Sequence, residues 1–180
     1  MNTTETSKWI SDPTHSELLF KIKHLMITNV KGEFQKFNVS IESKGNDFSD
    51  AKVSAVIDTD SIFTNNTDRD AHLRSADFFD AEKYPKITFN STELNKLDDD
   101  NYQLKGILDL HGIEKELILD VEFGGFAKDP YGNHKAGFSV SGKLNRKDWG
   151  LNWNAALEAG GVMVSDEVRI NAEIQFVQES

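Results

Sequence analysis

Apolar and polar residues alternate with a period of two in eight stretches of the chain, the signature of strands that are buried on one face only. Leu18, Phe20 and Ile22 alternate with Leu19, Lys21 and Lys23, and Phe37, Val39 and Ile41 with Asn38, Ser40 and Glu42. Val53, Ala55 and Ile57 follow the same rule, as do Ile87 and Phe89. Tyr102, Leu104, Gly106, Leu108 and Leu110 are set against Gln103, Lys105 and Asp109. Leu117, Leu119, Val121 and Phe123 oppose Glu116, Asp120 and Glu122, with Ile118 as an apolar exception on the polar face. Ala136, Phe138, Val140, Gly142 and Leu144, then Val168, Ile170, Ala172, Ile174 and Phe176, complete the set.

Turn residues separate these stretches: Lys44-Gly45-Asn46-Asp47, Asp98-Asp99-Asp100-Asn101, His111-Gly112 and Asp129-Pro130-Tyr131-Gly132-Asn133. Short connections of this kind join antiparallel neighbours. Eight antiparallel strands with one wet face form a sandwich or a barrel, and several long strands favour the closed barrel, which has no exposed edges. The expected fold class is therefore all-β, an eight-stranded antiparallel barrel. Three segments depart from period two. Thr67 to Asp80 opens as Thr-x-x-Asp and reads as a short helix; Asn154 to Ala159 before Gly160-Gly161 reads as a helical turn; His24 to Asn29 reads as irregular. Such short pieces are expected to cap the barrel ends.

A length of 180 residues with 38% hydrophobic content suits one domain. Residues 1–8 are polar and read as a disordered segment, with the barrel spanning 9–180. The absence of cysteine excludes a disulfide framework, a thiolate metal site and a cysteine nucleophile. A net charge of -10 argues against nucleic acid or an anionic membrane surface as the main partner. No apolar run is long enough to span a bilayer as a helix. Because the N-terminus lacks the apolar core of a secretory leader, the expected location is the cytoplasm, or the periplasm if a leader has been removed.

Twelve phenylalanines stand against three tryptophans and three tyrosines. On the inward face, Phe20, Phe37, Phe89, Phe123, Phe138 and Phe176 alternate with the small residues Ala55, Gly106, Ala136, Gly142 and Ala172. Two readings stay open: the rings fill the barrel, or the small positions leave an apolar tunnel for one long hydrocarbon. Because Phe34 and Phe37 differ in parity, a break must lie between them if both face inward. Catalytic signals are weak. His15, His24, His72, His111 and His134 show no zinc-ligand spacing. Gly137-Phe138-Ser139-Val140-Ser141 lacks the second glycine of a nucleophile elbow. The Arg69-Asp70-Ala71-His72-Leu73-Arg74 block places Arg69 with His72, and Asp70 with Arg74, on shared helix faces. It reads either as a network fixing the helix or as a cationic mouth for a polar head group.

Several motifs run along the chain: Trp9-Ile10-Ser11-Asp12-Pro13-Thr14-His15-Ser16, then Phe20, His24, Gly32 and Phe34, and Asp60-Ser61-Ile62-Phe63-Thr64-Asn65. They continue through Arg69 to Asp80, Tyr84-Pro85-Lys86-Ile87-Thr88-Phe89, Leu110-His111-Gly112-Ile113 and Asn145-Arg146-Lys147-Asp148-Trp149-Gly150-Leu151. Taken together these residues resemble the YceI-like lipid or polyisoprenoid-binding family. Ser11 stands where the family usually has an aliphatic residue. The resemblance implies a lipocalin-like barrel with helical segments at its ends, an amphiphile inside, frequent dimerisation and no catalytic activity.

The expected function is noncatalytic binding, storage or transport of a long-chain amphiphile such as a polyisoprenoid, an isoprenoid quinone or a fatty amide or acid. No cofactor and no metal are expected, and the partners are that lipid and a second copy of the chain. Phe20, Phe34, Phe37, Ile62, Phe78, Phe79, Phe89, Phe138 and Trp149 are expected to line the tunnel. His24, Arg69, Asp70, His72 and Arg74 are expected at its mouth. The alternative is an enzyme acting on a lipid-like substrate at the mouth, with His24 or His72 as general base beside Asp70.

Overall fold

The computed structural model describes residues 5–155 and 163–179. Eleven strand segments share one antiparallel sheet: β1 (Thr6–Ser11), β2 (Glu17–His24), β3 (Thr28–Phe34), β4 (Phe37–Lys44), β5 (Asp47–Asp58) and β6 (Ile62–Phe63), then β7 (Lys86–Lys96), β8 (Asn101–Leu110), β9 (Ile113–Lys128), β10 (His134–Asn145) and β11 (Val164–Gln178). They make eight staves. β1 and β2 are one stave broken by the turn at Pro13–His15, and both lie along β11, with Trp9 opposite Gln178 and Phe20 opposite Ile170. β3 and β4 form the second stave, broken at Gln35 and Lys36, and β5 with β6 form the third. Each stave pairs with the next, and β11 returns to the first, so the barrel closes.

The breaks follow from the residues present. Pro13 has no N–H to give to the ladder, and side chains take over nearby: Ser16 Oγ accepts from Gln175 N at 3.1 Å, and Ser11 Oγ accepts from Val39 N at 3.0 Å. Ser11 is therefore a buried acceptor for the neighbouring stave. The break at Gln35 and Lys36 supplies the parity change between Phe34 and Phe37. Of residues 1–8, expected as a disordered segment, 1–4 lie outside the described residues and Thr6, Ser7 and Lys8 open β1. Thr6, Ser7 and Lys8 pair with Lys44, Ser43 and Glu42, because the next residue, Trp9, is only 1% exposed and its indole N–H donates to Ser43 Oγ.

One end of the barrel is closed by aromatic rings. Phe48 packs on Trp9, Phe123, Phe126 and Phe138 with centroids 5.0–5.8 Å apart, and Phe138 packs edge-on to Phe176 at 5.7 Å. Phe126 reaches this plug through a bulge. Gly125 pairs with Gly137 while Phe123 pairs with Phe138, so the extra residue Gly124 shifts the parity of β9 and turns Phe126 inward.

The opposite end is capped by chain between strands. Among the described residues there is one α-helix, α1 (Thr67–Arg74), and it is shorter than the expected Thr67 to Asp80. Its N-cap is Asn66, whose Oδ1 accepts from Arg69 N at 3.0 Å. Beyond Arg74 the chain turns: Phe79 N donates to Leu73 O, and Asp80 sits at a φ of 47°. Phe78 and Phe79 therefore project from turns. The expected irregular segment His24 to Asn29 shrinks to the turn Leu25–Ile27 between two strands. Asn154 and Ala155 are neither helix nor strand, and the rest of the expected turn at 154–159 lies outside the described residues.

Candidate functional site

Beneath the capped end lies a cavity of about 580 Å³. The inward residues of β2, Leu18, Phe20, Ile22 and His24, form one wall, with Val30 and Phe34 of β3 beside them. Ile57, Ile87, Leu108, Leu110, Leu144, Val168 and Ile170 close the circumference, and Leu73, Phe78, Phe79, Leu151, Trp153 and Met163 form the roof. A second cavity of about 160 Å³ lies deeper, walled by apolar side chains that include Phe37, Phe89, Phe138, Ala55 and Ala172. Leu18, Ile57, Leu108 and Ile170 border both spaces and mark the constriction between them.

The residues expected to line a tunnel fall into three groups. Phe20, Phe34, Phe78 and Phe79 line the larger cavity, with Phe34 packed on Phe20 at 5.7 Å and edge-on to Phe79 at 5.8 Å. Phe37, Phe89 and Phe138 line the smaller one, where Phe138 also belongs to the plug. Ile62 and Trp149 are buried away from both spaces: Ile62 pairs with Phe34 in the ladder, and Trp149 donates its indole N–H to Leu108 O at 3.0 Å. Both support the wall from behind.

The polar block divides in the same way. His24, Arg69 and His72 reach the larger cavity, together with Asn66 and Asp68 at the surface. Asp70 does not. It is buried against Thr64, accepting from both the backbone N–H and the hydroxyl, while Arg69 donates to Thr64 Oγ1 and to Thr64 O. The expected pairing of Asp70 with Arg74 is absent, because Thr64 offers Asp70 two donors in a buried site. Arg74 lies outside the cavity wall. The acid beside His72 is Asp77, 2.9 Å from Nε2, and the imidazole stands edge-on to Phe78 and Trp153. A base at His72 would thus lean on Asp77, a correction to the expected Asp70.

Sequence reasoning did not place Arg146, Leu151, Trp153 or Met163 at the cavity, although Arg146 and Leu151 stand in the motif that carries the family resemblance. Arg146 is 2% exposed and borders the cavity, yet among the described residues it meets no carboxylate: it donates to the carbonyls of Leu151, Trp153, Val164 and Ser165. Burial pushes this guanidinium below its ordinary range, and Asp166 opposes the shift. Its role is to gather the chain on both sides of the roof, with Asn154 Nδ2 as a second donor to Val164 O at 2.7 Å. A lone arginine directly after an alternating strand and before two tryptophans was the available signal. Among the described residues no group of three or more His, Asp or Glu is placed to hold a metal, and no helix is long and apolar enough to cross a membrane.

The YceI-like domain family matches residues 9–176. A UPF0312 protein of Staphylococcus epidermidis is 44% identical over 171 residues, covering 94% of this chain and 97% of that one. The crystal structure of the Campylobacter jejuni YCEI protein is 35% identical with a TM-score of 0.75, over 89% of this chain and 91% of that chain. A polyisoprenoid binding domain from Saccharophagus degradans, implicated in plant cell wall breakdown, shares the fold with a TM-score of 0.70 at 17% identity, over 95% of this chain and 98% of that chain.

Proposed function

The chain belongs to the YceI-like domain family, and from that premise we propose that the protein binds one long-chain amphiphile, a polyisoprenoid or a chemically similar lipid, without transforming it. The observation that carries this reading is the cavity of about 580 Å³, apolar along most of its wall, with polar groups at its rim and Arg146 beneath the roof. That volume falls within the roughly 300–1,000 Å³ typical of small-molecule sites. A hydrocarbon chain taken from water into it gains about 25 cal/mol for each Å² of apolar surface buried. Branched isoprenoid chains suit walls built of Phe, Leu and Ile, and the constriction at Leu108 and Ile170 admits a chain end to the deeper space. At the rim, Asn66, Arg69, His72 and His24 offer donors to a polar head group, with Arg69 held in place by Thr64.

The test is organic extraction of protein purified from cells, followed by native and lipid mass spectrometry. One long-chain lipid per barrel is expected. Repeated recovery of empty protein that also refuses added isoprenoid alcohol would sink the proposal. A second reading, an enzyme acting on the bound lipid, is favoured by the His72 and Asp77 pair at the cavity. It requires that His72→Phe abolish turnover of a lipid ester or ether while lipid binding persists.

A further inference from the structure

The outer face of the barrel near the capped end carries a row of like charge. Lys143 pairs with Arg169, Arg169 with Lys21, and Lys21 with Lys31, so four cations stand side by side across β10, β11, β2 and β3. Like charges directly opposite one another on a sheet are destabilising. Glu167 reaches two of them, Arg169 at 3.4 Å and Lys143 at 3.8 Å. Among the described residues no carboxylate pairs with Lys21, Lys23 or Lys31. From Lys21 the strand runs on through exposed Lys23 to the turn that joins β2 to β3, and that turn is apolar: Met26 is 51% exposed and Ile27 is 77% exposed. Leu25 and Met26 have φ values of 54° and 63°, a backbone region that ordinarily favours glycine or asparagine. The turn also flanks the cavity. Leu25 N donates to Met163 O at 2.8 Å, and His24, Val30 and Met163 line the space beneath.

We propose that this basic face and the Leu25-Met26-Ile27 tip form a docking surface for an anionic lipid bilayer, which brings the cavity rim to the membrane. The inference deepens the lipid-binding reading and rests on it, since it supplies the route by which a water-insoluble chain enters the barrel. The net charge of -10 describes the mean field of the molecule; contact with a bilayer is decided over a Debye length of about 8 Å, and in the groove along this face Lys21, Lys23, Lys143 and Arg169 outnumber the carboxylates Asp120 and Glu167. Charge alone would suit any polyanion. The bilayer is favoured because the exposed apolar tip stands at the end of the strand that carries Lys21 and Lys23, and a soluble polyanion has no use for it.

The test is flotation of the full-length protein with vesicles of phosphatidylglycerol and phosphatidylcholine mixed one part to two, against vesicles of phosphatidylcholine alone. The wild type should float with the anionic vesicles and release as salt is added. Lys21→Gln with Lys31→Gln should weaken partitioning about twenty-fivefold, from about fivefold per cation. Met26→Ser with Ile27→Ser should also weaken it, and both double variants should still take up geranylgeraniol in detergent, since none of the four side chains lines the cavity. Wild type that fails to float, or variants that float equally well, overturns the docking surface. Binding to heparin but not to vesicles overturns it in favour of a soluble polyanion. Flotation that persists in a protein unable to hold geranylgeraniol instead removes the lipid-carrier reading and leaves the membrane contact standing.

Discussion

Gly32, Gly106 and Gly142 are pleated residues whose missing side chains are replaced by a neighbour's. A Cβ on Gly32 would overlap the Phe20 ring, one on Gly106 the Phe89 ring, and one on Gly142 the end of Leu119. The small inward positions at Gly106 and Gly142 were expected to leave room for a ligand; instead they let a large neighbour lie flat, because an open methyl-sized gap forfeits packing contacts. Ala55 and Ala172 do border the smaller cavity. Gly106→Ala is therefore expected to destabilise the protein by roughly 1–3 kcal/mol, since the new methyl also meets the fixed carbonyl of Asn90 at 2.6 Å. Urea unfolding measures this, and an unchanged midpoint would refute it.

At the scale of elements, the hairpins at the plugged end are closed by aspartates whose carboxylates accept backbone N–H groups. Asp129 accepts from Tyr131 and Asn133, Asp98 from Asp100 and Asn101, and Asp47 from Ser49. These bonds favour the charged form: Asn133 and Tyr131 hold Asp129 below the usual carboxylate range, and Asn101 and Asp100 do the same for Asp98. A carboxyl whose folded pKa is depressed adds stability in full above its unfolded pKa, and the gain disappears as pH falls toward the folded value. The melting temperature should accordingly decline below the ordinary carboxylate range. Asp129→Asn should melt lower than wild type at neutral pH, with the two curves converging in acid. A gap that stays constant with pH would contradict the assignment. The helix obeys a similar logic. An eight-residue helix is too short to be stable alone, and α1 holds because Asn66 caps it and Asp70 and Arg69 clamp it to Thr64.

Across the whole molecule the phenylalanines are sorted by height. Phe48, Phe123, Phe126, Phe138 and Phe176 close one end, Phe37 and Phe89 stand at the deeper cavity, and Phe20, Phe34, Phe78 and Phe79 surround the larger one. In the proposed binding mode a chain enters from the capped end and extends as far as the plug. Narrowing the constriction should shorten what is held: Ile170→Trp is expected to keep short isoprenols but to lose affinity for longer ones, at about 0.8 kcal/mol for each methylene left outside. Native mass spectrometry across a series of chain lengths reads this directly, and equal retention of all lengths would show that the deeper space is unused.

The eight staves, their wet and dry faces and the aspartate turns were legible in the sequence, because period-two alternation and turn chemistry are local properties of neighbouring residues. The family signature was legible too, in motifs from Trp9 through Leu151. Where strands break or shift parity was less so: the Gly124 bulge and the stave broken at Pro13 depend on what the partner strand offers. The site itself was a tertiary decision. That Asp70 serves Thr64 while Asp77 serves His72, that Arg146 gathers four carbonyls under the roof, and that four cations line up on strands as distant in sequence as β2 and β10 all follow from contacts made only when the barrel closes. Alternation tells which side of a strand faces inward; only closure decides whether the space it faces is filled by a ring or left for a ligand.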